Sequence, residues 1–173
     1  VSCFLRVEVE DQAHSTALLR RGDVVAAVTS TPTPVVGCRT VELGRMPYRP
    51  VASPELASHF GGVGNLDWER IPALRYNTKD DLQLDFLRSL GIETTPPQPQ
   101  VPGSEAFLAA VEAGLAWGLI PEAQLGDALA TGRLVQLADA VVPVPLHWQV
   151  WKVESPRVER LSACVLDAAA VLG

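Results

Sequence analysis

The residues of this sequence that are best suited to chemistry are carboxylates, hydroxyls and one amide that stand where a predicted strand ends and a helix begins. They form five groups along the chain, which are Glu10 with Asp11, Thr29 with Ser30, Asn77 with Asp80 and Asp81, Ser104 with Glu105, and Glu122. If the strands are parallel, their carboxyl ends meet at one edge, where α/β proteins bind small ligands. Hydroxyls and N–H groups at helix starts suit a carboxylate, whereas Asp and Glu suit a cation. The five groups therefore predict a binding site for a basic amino acid.

The same side chains also have simpler structural interpretations. Ser104 and Asp80 are good helix caps, because a short side chain with an oxygen accepts the unpaired N–H groups of the first helical turn. Asp81 and Glu105 are typical of solvated carboxylates that the helix dipole favours in that turn. From the sequence alone, both interpretations of these residues stay open.

No pattern of catalytic residues is present in the sequence. His14, His59 and His147 are isolated from any Ser, Cys or carboxylate of a nucleophilic motif. The GxSxG, P-loop, GxGxxG and HExxH motifs are absent, and the glycines at 61–64 lack the Lys and Ser or Thr of a phosphate-binding loop. Asp80 and Asp81 have no further metal ligands beside them. We therefore predict a protein that is not an enzyme and that has no metal and no cofactor.

The composition is that of a globular protein and excludes several other classes. Of the 173 residues, 47% are hydrophobic and 20% are charged, and no apolar run reaches the roughly 18 residues of a membrane helix. The net charge is −6 and the 14 Lys and Arg are scattered, so this segment is not expected to bind nucleic acid. The odd number of cysteines and the lack of a secretory leader predict a cytoplasmic protein, with Cys3 and Cys164 in the core. Because the chain starts with Val1, it is expected to be a fragment of a longer protein.

The elements that would position the polar groups begin with a predicted βαβ unit. It comprises an alternating strand at 4–10, a helix at 16–21 closed by Gly22, and a strand covered on both faces at 24–28. This unit is expected to be parallel and right-handed. Next come two strands, at 39–43 and 48–52, on either side of a turn at Gly44. A helix at 53–60, capped by Ser53, follows them.

A second α/β section follows the glycines at 61–64. Its predicted strands are 73–76, 117–120 and 134–137, and its predicted helices are 80–90, 104–113 and 122–130. A long strand at 146–153 and a helix that starts at Ser155-Pro156 complete the chain. The predicted fold class is α/β, with two small lobes and a cleft between them. Lobe I comprises 1–52 and 147–173, and lobe II comprises 53–146.

Eight segments give the sequence a resemblance to a known family. They are 9–14, 19–29, 37–44, 48–53, 80–83, 104–107, 114–118 and 144–148, and they include Asp80-Asp81-Leu82-Gln83 and Val144-Pro145-Leu146-His147-Trp148. In these segments the sequence resembles the effector-binding part of LysR-type transcriptional regulators. Within that family it is similar to the lysine- and arginine-responsive regulators of basic amino-acid exporters. The resemblance covers nearly the whole chain.

The resemblance implies two Rossmann-like lobes, as in periplasmic solute-binding proteins, with an effector in the cleft between them. It implies that lysine or arginine is the effector and that DNA is bound through an N-terminal winged helix-turn-helix outside these 173 residues. Against the family pattern, lobe I also lacks its first strand and first helix. Sensor domains of the family form homodimers, full-length regulators form tetramers, and no membrane contact is implied. A solute-binding protein for a small polar amino acid is the alternative, and a small enzyme is a third hypothesis.

Overall fold

The computed structural model describes residues 4–9 and 15–172. Their elements follow in the order α1 (Ser15–Arg21), β1 (Ala26–Thr29), β2 (Cys38–Ala52), α2 (Pro54–His59), α3 (Leu82–Ser89), α4 (Ser104–Glu112), β3 (Gly118–Pro121), α5 (Glu122–Leu125), β4 (Val135–Gln136), β5 (Val142–Trp151), α6 (Pro156–Ala169) and a 3-10 helix (Ala170–Leu172). This mixture of helices and strands is that of an α/β protein. In the described part of the chain, no helix is long and apolar enough to span a membrane.

The chain forms two compact units, divided between Met46 and Pro47 and again between Pro143 and Val144. The second unit is the stretch between these points, and the first unit contains the residues on either side of it. The strand order is β1-β5-β2-β3, with β4 paired to β2. The first unit is thus assembled from an early and a late part of the sequence.

In the first unit, β1 pairs with β5 in the antiparallel direction. Ala26 lies opposite Val150, and Thr29 lies opposite His147. α1 packs beside β1, and the small core between them is formed by Leu19, Val35 and Cys38 with Trp151 packed against it. Residues that are distant in the sequence therefore build one sheet edge.

The predicted parallel βαβ unit is wrong. Residues 4–9 form no strand and are exposed, and β1 pairs with the antiparallel β5. The expectation that the strand at 24–28 is covered on both faces is also wrong, since Val25 and Val28 are 42% and 43% exposed. Alternation and hydrophobicity indicate which side chains share a face, but they do not identify the neighbouring strand.

Gly44 does not make the predicted turn, because β2 is one continuous strand of 15 residues. Its φ of +115° is one that residues with a Cβ rarely adopt. A Cβ at this position would lie 2.6 Å from the carbonyl oxygen of Leu172. The glycine therefore allows the 3-10 helix after α6 to approach the backbone of β2.

The start of α6 confirms the predicted last helix. Ser155 occupies the N-cap position and Pro156 is the first helical residue. The buried hydroxyl of Ser162 accepts a hydrogen bond from Nε1 of Trp148 at 3.0 Å, which joins α6 to β5. The predicted apolar stripe is half-buried except for one exposed alanine, and its members are Val158, Leu161, Val165, Ala168 and Leu172.

The cysteines have different environments. Cys38 is buried in β2, where desolvation raises the pKa of its thiol and the charge of Lys152 acts in the opposite direction. Cys164 is exposed, so its predicted place in the core is wrong. Cys3 lies outside the described residues.

In the second unit, β2 pairs antiparallel with β3 and β4. Parallel bridges join Ala73 to Trp117 and Arg75 to Gln100, so the extended backbone around 73–75 has a parallel neighbour on each side. The predicted helices at 80–90 and 104–113 are confirmed to within two residues at each end. α5 is shorter than predicted and ends at Leu125, because the next residue, Gly126, leaves helical geometry with a φ of +51°.

Two apolar clusters fill the second unit. One packs α4 against β2 and β3 and contains Val51, Leu74, Phe107, Val111 and Ile120 among others. In the other cluster the fully buried ring of Trp117 meets Trp68 and Phe86 edge-on, at centroid distances of 5.2 and 5.9 Å. These clusters fix the backbone from which the polar loops emerge.

Candidate functional site

The acidic loop at 77–81 joins the extended backbone of the second unit to α3. Oδ2 of Asp80 accepts the N–H of Tyr76 at 2.8 Å, and Oδ1 accepts the N–H of Leu82 at 3.2 Å. Oδ1 of Asn77 accepts the N–H of Lys79 at 2.8 Å. The N-cap position of α3 is taken by Asp81, which makes no side-chain capping bond, so Asp80 is not the N-cap residue that was predicted. Asp80 lies one residue earlier, and the backbone holds its carboxylate in place through Tyr76 and Leu82.

Arg75 holds the acidic loop through its guanidinium. Nε donates to the carbonyl oxygen of Asp80 at 2.7 Å, and Nη2 donates to the carbonyl oxygen of Thr78 at 2.8 Å. Nη2 also pairs with Oδ1 of Asp81 at 2.9 Å, and Nη1 donates to Oε1 of Gln98 at 3.2 Å. The side chain of Arg75 is only 13% exposed, whereas that of Asp81 is 59% exposed. Sequence analysis found the carboxylate of Asp81 but missed its arginine partner.

Glu122 opens α5 and forms an ion pair with Arg49 of β2. Nε of Arg49 and Oε1 of Glu122 are 2.6 Å apart, with the side chains 29% and 36% exposed. Nη1 of Arg49 also donates to Oε1 of Gln136 at 3.0 Å. Glu122 was predicted to bind a cationic ligand, but its carboxylate is already paired with the guanidinium of Arg49.

Tyr48 precedes Arg49 on β2 and is a second residue that sequence analysis missed. It lies opposite Pro121 in the ladder between β2 and β3. Burial raises the pKa of its phenol, and the negative charge of Asp80 raises it further. A negative charge in the surroundings disfavours ionisation of a phenol, so Asp80 helps to keep Tyr48 protonated. Tyr48 is thus a neighbour of Arg49 in β2 that responds to the charge of the acidic loop.

The raised pKa of Tyr48 predicts a measurable alkaline titration. The chain has 2 tyrosines, so Tyr76→Phe leaves the phenol of Tyr48 to be followed by its ultraviolet absorbance. We expect a midpoint above 10.0, with a lower midpoint when Asp80→Asn is added. The folded state binds this proton more tightly than the unfolded state, so the stabilisation is complete below pH 10.0 and is lost as pH rises through the folded pKa. An unchanged midpoint in the Asp80→Asn variant would contradict the influence of Asp80 on this phenol.

Ser104 and Glu105 are the first two residues of α4, and both are exposed. Gly103 takes the N-cap position with a φ of +95°, and no side chain caps the helix there. The predicted capping role of Ser104 is therefore wrong, because the chain turns at a glycine one residue earlier. Glu105 stands in the first helical turn, where the helix dipole favours a negative charge.

Thr29 is the last residue of β1 in the first unit, and Ser30 follows it. Thr29 is fully buried and its Oγ1 accepts the N–H of Thr31 at 3.2 Å, whereas Ser30 is half-buried. Opposite Thr29 stands His147, whose buried Nδ1 has no hydrogen-bond partner among the described residues. The end of β1 thus presents hydroxyl and imidazole groups within a largely buried setting.

Gln149 fixes the segment that follows Ser30. Its fully buried Nε2 donates to the carbonyl oxygens of Thr31 at 3.0 Å and Thr33 at 2.9 Å, and its Oε1 accepts the N–H of Val35 at 3.0 Å. A buried amide that is bonded at both ends holds the segment in one conformation.

The structure joins three predicted site residues in one loop and places the others on separate elements. Asn77, Asp80 and Asp81 share the acidic loop, while Ser104, Glu105 and Glu122 stand at helix starts of the same unit and Thr29 and Ser30 belong to the first unit. Glu10 and Asp11 lie outside the described residues. Within the described ranges, no group of three or more His, Cys, Asp or Glu is placed to hold a metal ion. The carboxylates of the acidic loop suit a small cation that donates hydrogen bonds to them.

The chain matches a known protein family and is similar to known regulators. Residues 3–170 match the family described as LysR substrate binding domain. Over 167 residues the chain is 46% identical to the Lysine export transcriptional regulatory protein LysG of Corynebacterium efficiens, and the match covers 95% of this chain and 58% of that protein. The sequence similarity thus extends over both compact units.

Solved structures also resemble the chain, among them those of a LysG protein and an ArgP protein. One is the full-length LTTR LysG from Corynebacterium glutamicum with bound effector Arg, with a TM-score of 0.84 and 40% identity over 95% of this chain and 57% of that one. The other is ArgP from Mycobacterium tuberculosis, with a TM-score of 0.89 and 39% identity over 96% of this chain and 59% of that one. The chain therefore spans little more than half the length of the proteins that it matches.

Proposed function

Because this chain belongs to the LysR substrate binding domain family, we propose that it senses an effector for a transcriptional regulator and that the effector is lysine or arginine. The observation that carries the proposal is the identity of 46% over 167 residues to a lysine export regulator. The similar structure with bound effector Arg supports a basic amino acid as the ligand. The family is one of transcriptional regulators and not of enzymes.

The second unit supplies groups that suit the cationic end of such an effector. Asp80 offers a carboxylate that two backbone N–H groups hold in place, and its negative charge contributes to the raised pKa of the Tyr48 phenol. We assign the direct contact with the cation to Asp80, because the backbone N–H groups of Tyr76 and Leu82 fix its carboxylate. A charge pair in a partly buried site is stronger than one in open water.

The remaining predicted residues complete the proposed site. The hydroxyls of Thr29, Ser30 and Ser104 suit the carboxylate of the amino acid, and Asn77, Glu10, Asp11 and Glu105 suit its ammonium groups. In this proposal the protein has two Rossmann-like lobes, similar to those of periplasmic binding proteins, with the effector in a cleft between lobe I (1–52 and 147–173) and lobe II (53–146). These bounds differ by a few residues from those of the two compact units. The whole regulator would act in the cytoplasm as an assembly of sensor-domain dimers, bind DNA through a separate domain and control an amino-acid exporter gene.

The charge of Asp80 is the first test of this site. We expect Asp80→Asn to weaken the binding of lysine and arginine by about 10- to 150-fold, since a hydrogen bond to a charged group contributes about 1.5–3 kcal/mol. Asparagine keeps the size of the side chain and one oxygen that can accept a backbone N–H. Isothermal titration calorimetry of the wild-type protein and the variant measures the change.

Asp85→Asn is the matched control for this test. Asp85 lies in the first turn of α3, its carboxylate is 66% exposed, and it pairs with Arg88 of the same helix. We expect this variant to bind lysine with the wild-type affinity. Equal dissociation constants for Asp80→Asn and wild type would remove Asp80 from the site, whereas a wild-type protein that binds neither amino acid would overturn the proposed effector.

A further inference from the structure

Arg75 is the centre of the contacts that shape the acidic loop, and we propose that it is a positioning residue for effector binding. Its guanidinium donates to the backbone of Thr78 and Asp80 and to the carboxylate of Asp81. The inference rests on the proposed function, because the group that Arg75 would position is the carboxylate of Asp80. Arg75 itself is not assigned a contact with the effector.

The backbone of Arg75 is held in place by hydrogen bonds to a neighbouring segment. Its N–H donates to the carbonyl oxygen of Pro99 at 2.9 Å, and its carbonyl oxygen accepts the N–H of Val101 at 2.9 Å. Oε1 of Gln98 holds the third nitrogen of the guanidinium at 3.2 Å. Both ends of the side chain are therefore held by the neighbouring segment at 98–101, independently of the contacts with the loop.

The loop contacts require the shape of an arginine side chain. The three acceptors are the carbonyl oxygens of Thr78 and Asp80, on either side of Lys79, and Oδ1 of Asp81. A planar guanidinium offers five N–H donors in a fixed fork, whereas a lysine ammonium is a single point with three donors. Without the fork, two backbone carbonyls lose their donors and Asp81 loses its counter-charge. The backbone that places the carboxylate of Asp80 would then be free to relax.

The hydrogen bonds of Arg75 favour effector binding, but its positive charge disfavours the binding of a cation. A positive charge near the site repels the cationic end of lysine or arginine, so removing it would strengthen binding if repulsion were its main influence. The ion pair with Asp81 already offsets this charge. We therefore expect the loss of loop geometry to outweigh the loss of repulsion, and the sign of the measured change decides between them.

The test compares Arg75→Met, Arg75→Lys and the control Arg88→Met by calorimetry with L-lysine, well below the melting temperature of each variant. We expect Arg75→Met to bind about tenfold more weakly, which corresponds to about 1.4 kcal/mol, with Arg75→Lys between it and wild type. Arg88 is 55% exposed and pairs with Asp85 on the surface of α3, so Arg88→Met is expected to bind as wild type does. Unchanged or tighter binding by Arg75→Met would overturn the inference.

A double-mutant cycle separates positioning from general destabilisation. If Arg75 acts through Asp80, Arg75→Met should change the affinity of the Asp80→Asn variant far less than it changes that of wild type. An equal loss in both backgrounds would show that Arg75 does not act through Asp80.

Hydrogen exchange tests the same inference without a ligand. Arg75→Met should accelerate exchange of the amides of Tyr76 and Leu82, which donate to Asp80, while Arg88→Met should not. If the wild-type protein binds no amino acid, the proposed function fails, and exchange still decides whether Arg75 holds the loop. Unchanged exchange in Arg75→Met would by itself contradict the positioning role of Arg75, whatever the result of the binding experiments.

Discussion

Replacing Trp117 with alanine is expected to lower the free energy of unfolding by about 3–5 kcal/mol, the usual range for truncating a large buried aromatic residue. Trp117 is fully buried and packs edge-on against Trp68 and Phe86. Its backbone also bonds to the strand that carries Arg75, through the N–H of Leu74 at 2.8 Å. The truncation would open a cavity in the second unit beside the strand from which the acidic loop emerges. Urea unfolding followed by circular dichroism measures the loss.

Trp117→Phe is the matched control. The indole Nε1 is buried and has no hydrogen-bond partner in the described part of the chain, and burying an unpaired donor is unfavourable. Phenylalanine removes that donor and retains much of the ring contact, so its loss of stability should be well below that of alanine. An alanine variant that loses less than about 1 kcal/mol would contradict the role of Trp117 as the centre of this cluster.

Gly44→Ala is expected to destabilise the first unit through two separate effects. A residue with a Cβ at a φ of +115° is strained, which costs about 1–3 kcal/mol. The new methyl group would also meet the carbonyl carbon and oxygen of Leu172 at 2.8 and 2.6 Å, and overpacking of this kind costs about 1–3 kcal/mol. Thermal and urea unfolding would show the combined loss.

Gly62→Ala separates the two effects. Gly62 also has a positive φ, +82°, but a Cβ there would meet nothing within 4 Å. Its loss therefore reports backbone strain alone, and the additional loss in Gly44→Ala reports the clash. Ending the chain after Ala169 should remove that additional loss, because the clashing residue is then absent. If Gly44→Ala and Gly62→Ala were equally destabilised, the close approach of Leu172 would not constrain β2.

Helix starts could be predicted from the sequence because capping is local. Ser53 caps α2 by accepting the N–H of Leu56 at 3.2 Å, and Ser155-Pro156 begins α6 where predicted. Strand partners could not be predicted in this way. β1 pairs with β5 across most of the chain, and no local pattern in 24–28 indicates that distant neighbour. The family itself was correctly identified from several weak segments that together cover nearly the whole chain.

The acidic residues of the candidate site could be predicted from the sequence, but the residues that interact with them could not. Asp80 and Asp81 were visible as carboxylates before a helix, but Arg75 was not selected. A signal was available, since Arg75 is a charged residue within an apolar strand that begins with Ala73 and Leu74, and a charge in such a place usually has a specific partner. The influence of Asp80 on the pKa of Tyr48 depends on tertiary structure and has no local signature.

The amide of Gln149 limits which amino acids position 149 can accept. The segment at 31–35 needs two donors and one acceptor from this single side chain. Glutamate has no donor when ionised and lysine has no acceptor, while asparagine offers both groups on a stem that is one methylene shorter. Sequence variation at this site should therefore be narrow among proteins of the same architecture. An invariant glutamine there would reflect the demands of a neighbouring backbone and would be no sign that the residue touches an amino acid.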